Sequence, residues 1–304
     1  MKSKNKLTIS IGTAAYNEEQ NIKHMLASVL SQKEENIKIK EILVISDGSS
    51  DNTMAYAKTF KDKRIKIFDD QKRLGKTPRV NQLIKMFKSD ILIVIDADCI
   101  IDDANAIEEM ANKFTLDNKV GFVGGNAKPL PGQNFLEKAI NNYIDSRIEL
   151  SRRIDTDNAY FARALFAYSR DFAKVLEIPA KIINDDTYSF IVCHQKGFRF
   201  AFAPKAIAWF RSPQNINDHL KQGTRHIQGG HQLEKYFGKK TVKDAFKLPL
   251  GALQILALMQ ITKNPFGYFF LKIVNIYSDI KHKVTKTNFD VKWDASTTSK
   301  KLVI

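Results

Sequence analysis

Three short aliphatic runs, 7–11 (LTISI), 41–45 (EILVI) and 91–95 (ILIVI), recur through the first hundred residues with helical-period segments between them. This alternation constrains the fold more than any other feature. Residues 18–30 place Ile22, Met25, Leu26, Val29 and Leu30 on one helical face. A second helix begins near Asn52 and a third covers 78–87, with a short strand at 64–68 before it. Strands separated by helices predict a mostly parallel sheet covered on both faces. Apolar residues make up 43% of 304, enough for a sizeable core in one large domain or one and a half.

In such a sheet, ligands bind beyond the carboxyl ends of the strands. The first run leads into 13–19 (TAAYNEE), the second into Asp47-Gly-Ser-Ser-Asp51, the third into Asp96-Ala97-Asp98. Polar and acidic groups from three strands therefore meet at one edge, which packing alone does not explain. The paired carboxylates Asp96 and Asp98 repel each other unless a cation neutralises them. Hard oxygen ligands with open positions suit Mg²⁺ or Mn²⁺ shared with substrate phosphates. The competing reading is a solvated turn before a helix cap at Asp102 or Asp103. Capping by Ser50 or Asp51 accounts for that stretch of the second loop, but leaves Asp47 free to accept from a base or ribose.

Residues 75–81 (GKTPRVN) place two cations at a helix start, with Pro78 in its first turn. Helix amides with Lys76 and Arg79 predict a diphosphate cradle, against the alternative of a solvated basic turn. Asp185 and Asp186 open a further helix, where acids are favoured by the dipole; alternatively, one of them removes a proton from an acceptor hydroxyl. Gln222-Gly-Thr-Arg225-His226 lies on a helix after Ser212-Pro213. Its always-charged arginine suits a leaving diphosphate, or it is an exposed arginine with no role.

The order of these motifs resembles family 2 glycosyltransferases across residues 7–232. The motifs are Tyr16-Asn17-Glu18-Glu19, Asp47-Gly-Ser-Ser-Asp51, Gly75-Lys76 to Asn81, Asp96-x-Asp98, Asp185-Asp186 and Gln222-x-x-Arg225. Residues 186–230 look most like the membrane-associated branch that builds polysaccharides or glycolipids. The resemblance implies the GT-A fold: a Rossmann-like, mostly parallel sheet with helices on both faces. It further implies that Tyr16, Glu18 and Asp47 hold the nucleoside, Lys76 the base or phosphates, and Asp96 the ribose or sugar. Asp98 would bind Mn²⁺ or Mg²⁺, Asp186 beside Asp185 would be the base, and Gln222 and Arg225, with His226, would face acceptor and diphosphate. The implied reaction is a single displacement with inversion at the anomeric carbon, from a UDP- or GDP-sugar. Three positions depart from the family pattern: Ala14 replaces a proline, His226 replaces a tryptophan, and Ala162-Arg163-Ala164 replaces a small-residue run beneath the acceptor. The last two bear on the acceptor, where Arg163 would narrow the site or meet a phosphate.

Positive side chains exceed negative ones by fifteen. The field favours anionic partners without choosing between nucleotides, lipid surfaces and nucleic acid. Nucleic acid is set aside, because convergent acids repel phosphates and basic–aromatic interleaving is missing. Cys99 and Cys193 cannot form a disulfide framework or a zinc cluster, so a reducing cytosol is expected. The basic N-terminus lacks a signal-peptide core, and no window offers the ~20 apolar residues of a bilayer span. Residues 248–262 would form a helix about 22 Å long; after a break at 263–265 the apolar pattern resumes through 266–277. With lysines flanking both, these segments suit helices lying in a membrane interface; a core layer or homodimer interface is the competing reading. The tail at 292–301 is similar to a Trp-then-Thr/Lys-Arg segment of related synthases and would lie back over the active site.

The expected organisation is thus a catalytic domain at 1–238 and amphipathic helices with a basic tail at 239–304. The expected activity is metal-dependent transfer of a sugar to a lipid-linked or glycan acceptor, peripheral at the cytosolic membrane face. Transfer to a polyprenyl phosphate is the near alternative, and a nucleotidyltransferase the distant one.

Overall fold

The computed structural model describes residues 6–154, 157–285, 298 and 302. The chain runs β1 (Leu7–Ala15), α1 (Ile22–Leu30), β2 (Ile37–Ser46), α2 (Thr53–Ala57), β3 (Ile65–Phe68), α3 (Lys76–Met86), β4 (Ile91–Ile95) and β5 (Ile100–Ile101). It continues through α4 (Ala106–Leu116), β6 (Val120–Pro129), α5 (Phe135–Leu150), β7 (Leu165–Ser169), α6 (Arg170–Val175), α7 (Asp185–Gln195) and β8 (Arg199–Phe210). Four helices follow: α8 (Ile216–Phe237), α9 (Lys239–Ala245), α10 (Ala252–Lys263) and α11 (Pro265–Thr285).

One eight-stranded sheet has the order β3-β2-β1-β4-β7-β6-β8-β5. The first four neighbours pair in parallel, as the strand–helix alternation predicts; β7 is antiparallel to both β4 and β6, and β5 to β8. The parallel strands are aliphatic along their length because both faces are covered: all five residues of β4 are buried. One face packs Ile9, Ile11 and Ile93 against Met25 and Leu26 of α1 and Ile107 and Met110 of α4. The other packs Leu43, Leu92 and Val94 against Val80 and Leu83 of α3 and a cluster of Phe122, Phe166, Tyr168 and Phe172.

β7 enters the sheet in the opposite direction to β4, with Ile95 opposite Leu165. Residues 162–164 therefore arrive at the same edge that β1, β2 and β4 leave. β6 and β8 run past this edge together, pairing to Pro129 and Phe210, and raise a wall beside it. A buried ion pair, Arg211 Nη1 to Glu137 Oε1 at 3.1 Å, fastens the end of that wall to α5.

The helices after Gly238 pack on this body. α10 places Ala252 and Leu256 against Leu150 of α5, and α11 places Leu271 against Ile140 and Ile144. The break at Asn264 is a cap: its Oδ1 accepts from Gly267 N–H at 2.9 Å. Most of the expected tail segment at 292–301 lies outside the described residues. Thr298 donates to Asp218 at the start of α8, from Oγ1 at 2.6 Å and from N–H at 3.1 Å. Leu302 N–H donates to Asn21 Oδ1 at 3.1 Å, with the Leu302 side chain buried.

Gly124 decides how closely the turn at 159–161 approaches the sheet. A Cβ there would overlap the Phe161 carbonyl oxygen and meet the Phe200 ring at 2.9 Å. Gly124→Ala should therefore destabilise the fold by about 3 kcal/mol, read as a lower Tm by calorimetry; an unchanged Tm would show that the turn moves freely.

Candidate active site

The carboxyl ends of β1, β2 and β4 carry the acidic motifs, and the start of β7 closes the group. Asp96 N–H donates to the Ala164 carbonyl at 2.8 Å, so the two chain directions are tied at this edge. α3, α7 and α8 then bring in the remaining charges.

At the centre, Lys76 Nζ lies 2.7 Å from Asp96 Oδ1. Burial alone would make Lys76 easier to deprotonate, but Asp185, Asp96 and Asp186 outweigh it and hold the ammonium above its ordinary range. Arg225 is pulled the other way by burial, against the attraction of Asp185, Asp96, Asp186 and Asp98. Four carboxylates thus face two cations. The acid pair on α7 feels the imbalance: burial raises Asp185 above the usual carboxylate range, with Lys76 acting to lower it. Burial, then repulsion from Asp185, pushes Asp186 up to about 6.

Local structure holds these groups in place. Asn184 fits against α8 because position 229 is glycine, where a Cβ would collide with the Asn184 side chain. The loop before α7 is pinned from both sides, by Thr77 Oγ1 to the Ile182 carbonyl at 2.7 Å and by Ile183 N–H to Gln232 Oε1 at 2.9 Å. Asp185 is 2% exposed, and its Oδ2 is buried without a hydrogen-bond partner. Such an orphaned oxygen is costly in a finished core, which marks this as a place where a ligand group completes the bonding.

The nucleoside end differs in detail from the sequence reading. Tyr16 is half-buried, and the Arg73 guanidinium stacks 3.9 Å from its ring centroid. Sequence reasoning missed Arg73, which carries no spacing signal. Glu18 is buried, its Oε2 accepting from Asn21 Nδ2 at 2.8 Å and its N–H donating to Thr53 Oγ1 at 2.7 Å. Its carboxylate therefore helps close the entry to α1. Asp47 Oδ1 accepts from Leu74 N–H at 2.7 Å, Gly75 N–H at 3.0 Å and Arg79 Nε at 3.1 Å.

That arrangement corrects the expected diphosphate cradle. Arg79 is 2% exposed and clamped between Asp47, Asp70 and Gln82. Its charge is already neutralised inside the protein, so no side-chain nitrogen reaches the cleft. The Gly75 amide is likewise taken by Asp47. Lys76 alone of the two cations faces the site. Neither Ser50 nor Asp51 caps α2, whose N-cap is Asn52; Asp51 Oδ1 accepts from Thr53 N–H at 3.0 Å and closes the turn just before the helix. At α4 the N-cap is Asn105, beyond both expected acids, and Asp103 Oδ1 accepts from Asn105 N–H at 2.7 Å in the turn before it.

Gln222, Arg225 and His226 share one face of α8. Gln222 and His226 both open to solvent. His226 sits in the mouth of the cleft, where partial burial of the ring, then Arg225 and Arg163, hold its imidazole below its ordinary range. Cys99 is buried with its Sγ 3.9 Å from Asp98 Oδ1; burial and the adjacent acids raise the thiol well above its usual range, so it is packing and not a nucleophile.

Among the described residues, no group of three or more His, Cys, Asp or Glu side chains is placed to hold a metal ion. Asp96 and Asp98 offer at most a partial shell of hard oxygens. That donor set fits a divalent cation whose other ligands are water and phosphate oxygens.

With this geometry in place, comparison with known proteins is informative. The family model described as glycosyl transferase family 2 matches residues 10–176. The poly-beta-1,6-N-acetyl-D-glucosamine synthase of Staphylococcus aureus (strain COL) is 31% identical over 259 residues, which are 82% of this chain and 60% of that protein. The chain thus spans about three-fifths of that relative's length. The Staphylococcus epidermidis protein of the same name is 30% identical over 287 residues, 87% of this chain and 68% of that one. A mannosyltransferase from Pyrobaculum calidifontis, solved with GDP-Man and Mn²⁺, shares the fold with TM-score 0.61 at 17% identity, covering 93% of this chain and 77% of that one. Glucosyl-3-phosphoglycerate synthase from Mycobacterium tuberculosis, solved with Mn²⁺, UDP and phosphoglyceric acid, has TM-score 0.54 at 17% identity, covering 75% and 78%. Fold, motif order and family match agree: the chain belongs to glycosyl transferase family 2.

Proposed function

We propose that this protein transfers a sugar from a nucleoside diphosphate sugar to a hydroxyl of a lipid-linked or glycan acceptor, with inversion at the anomeric carbon. The observation that carries this reading is the meeting of Asp96, Asp98, Asp185 and Asp186 with Lys76 and Arg225 at one strand edge. Residues 1–238 would form the catalytic domain, and 239–304 the helices and tail that place it at a membrane surface.

Tyr16, with Arg73 stacked on it, would receive the base, and Asp47 would fix the loop beside it. Lys76 and Arg225 would hold the diphosphate and stabilise the charge that grows as the bond to the anomeric carbon breaks. Asp186 would take the proton from the attacking hydroxyl; a base poised near neutrality is suited to that task. Gln222 and His226 would contact the acceptor from α8. Asp98, with Asp96 beside it, would hold Mn²⁺ or Mg²⁺, and the solved Mn²⁺-bound neighbours of this fold support that choice. When bound, such an ion neutralises developing charge on the leaving phosphate oxygens. The similarity to the staphylococcal poly-beta-1,6-N-acetyl-D-glucosamine synthases supports a polysaccharide product.

Support for the membrane surface comes from the C-terminal helices. Leu253, Leu258, Phe266, Phe269, Ile273 and Ile276 are all more than half exposed. Among the described residues, no helix is long and apolar enough to cross a membrane. Such a face, with the fifteen excess positive charges of the chain, suits an anionic bilayer interface on its cytosolic side.

Three outcomes test this reading. The rate should rise with pH through about 6, as Asp186 loses its proton, and Asp186→Asn should lower kcat about 10²–10⁴-fold. The sign for stability is opposite. A carboxyl whose pKa is raised on folding weakens the fold as pH climbs from its unfolded value to about 6, so Asp186→Asn should raise Tm at pH 8. A pH-independent rate would remove Asp186 from the base role. UDP or GDP at ~100 Kd with Mn²⁺ should stabilise the protein by about 2.7 kcal/mol, and Asp98→Asn should abolish the metal-dependent part of that shift. Phe266→Glu with Ile273→Glu should release the protein from anionic vesicles in co-sedimentation, and retention of binding would locate the surface elsewhere.

A further inference from the structure

The centre of the cleft carries more carboxylates than cations; beside it lies a second group that is cationic. Tyr160 lies between two guanidiniums: Arg147 of α5 is 3.9 Å from the ring centroid and Arg163 is 4.4 Å from it. Arg163 Nη2 also donates to the Tyr160 hydroxyl at 3.0 Å, and its guanidinium lies 5.7 Å from the Phe210 ring. Arg147 is 9% exposed and makes only long contacts, 3.4 Å to the Tyr143 hydroxyl and 3.5 Å to Asn158 Oδ1. Its Nε is buried with no acceptor at all.

Among the described residues, neither arginine has a carboxylate within ion-pair reach. Elsewhere in this molecule buried arginines are neutralised: Arg79 by Asp47 and Asp70, Arg211 by Glu137. Of the acids on α5, Glu149 pairs with Lys263, and Asp145 feels Lys128 and Lys263 while its charge acts on Tyr160. A guanidinium carries five N–H donors, and most of those on Arg163 are unused.

The position of the pair gives it meaning. Ala164 is held at φ +61, a left-handed conformation that costs a non-glycine residue about 1 kcal/mol, while its carbonyl accepts from Asp96 N–H. That kink sets Arg163 one residue from the reacting edge. Both Arg163 and Arg225 act on His226 across the cleft mouth, so the pair faces the acceptor side.

Resting on the glycosyl-transfer reading, we propose that Arg163, with Arg147 and Tyr160, forms a subsite for a phosphate group carried by the acceptor. Phosphate oxygens accept from a guanidinium fork in bidentate fashion. Stacking on Tyr160 fixes the plane of that fork before the ligand arrives. The phosphate is a recognition group that orients the acceptor towards Asp186. It belongs either to a lipid phosphate or to a water-soluble phosphate ester.

The test titrates the full chain by calorimetry, with and without saturating UDP or GDP and Mn²⁺, using inorganic phosphate, dodecyl phosphate and neutral dodecyl glucoside as probes. Dodecyl phosphate should bind the nucleotide-saturated protein about ten-fold or more tightly than dodecyl glucoside. Arg163→Gln should weaken both phosphate probes about ten-fold, the loss of one charge-assisted hydrogen bond. Arg163→Lys should retain part of the affinity, while nucleotide affinity stays the same in both variants. Binding of inorganic phosphate comparable to dodecyl phosphate indicates a soluble ester, and a strong preference for dodecyl phosphate indicates a lipid. Equal binding of the phosphate probes by wild type and Arg163→Gln overturns the subsite, as does equal binding of dodecyl phosphate and dodecyl glucoside. Failure of nucleotide to bind, with Arg163-dependent phosphate binding intact, overturns the glycosyl-transfer reading and leaves the subsite standing.

Discussion

The Lys76–Asp96 ion pair is the interaction around which the rest of this molecule is arranged. At 2.7 Å, it joins the first residue of α3 to the first residue beyond β4. Four carboxylates crowded at a strand edge would repel one another strongly in a partly desolvated cleft. Lys76 and Arg225, from different elements, make their coexistence tolerable. α3 and α8 must therefore lie where they do for the β-strand edge to exist in its charged form. Burial, then repulsion from Asp185, raises Asp186 to about 6, which suits the base role proposed for it.

A second layer of interactions fixes what the central pair leaves loose. Asp47 and Arg79 lock the loop at 72–75 onto the end of β2. With both partners buried, the lock is expensive to break on one side alone. It places Arg73 over Tyr16 and leaves Lys76 as the half-buried end of a rigid turn. Residues that look like ligands in the sequence are in this case the frame that holds the ligands. The edge beside β7 is built differently: the antiparallel entry of β7 and the left-handed Ala164 bring in Arg163 without a neutralising acid among the described residues.

Much of this was legible before any coordinates. Parallel strands buried on both faces must be aliphatic throughout, so LTISI, EILVI and ILIVI mark β1, β2 and β4. Loops at their carboxyl ends must then share one edge, which is why Tyr16, Asp47, Asp96 and Asp98 could be grouped. The pair α10–α11, split at Asn264-Pro265, followed from the apolar pattern and its break at 263–265. Arg79 misled, because a cation at a helix start looks the same whether it meets a phosphate or a buried aspartate. Arg73 was silent, because cation–π stacking leaves no mark in sequence spacing.

What the sequence determined by itself is the alternation of strand and helix, the edge on which polar residues collect, and the order of the family motifs. These depend on local periodicity and on chain direction, both of which are written along the chain. Only the tertiary structure decided which charges meet. Whether Arg79, Arg163 or Arg225 finds a carboxylate depends on how separate elements come together in space, and side-chain charge is short-ranged in a screened medium. The same physics leaves Arg79 spent on Asp47 and Asp70, and leaves Arg163, among the described residues, bonded to the Tyr160 hydroxyl with no carboxylate in ion-pair reach.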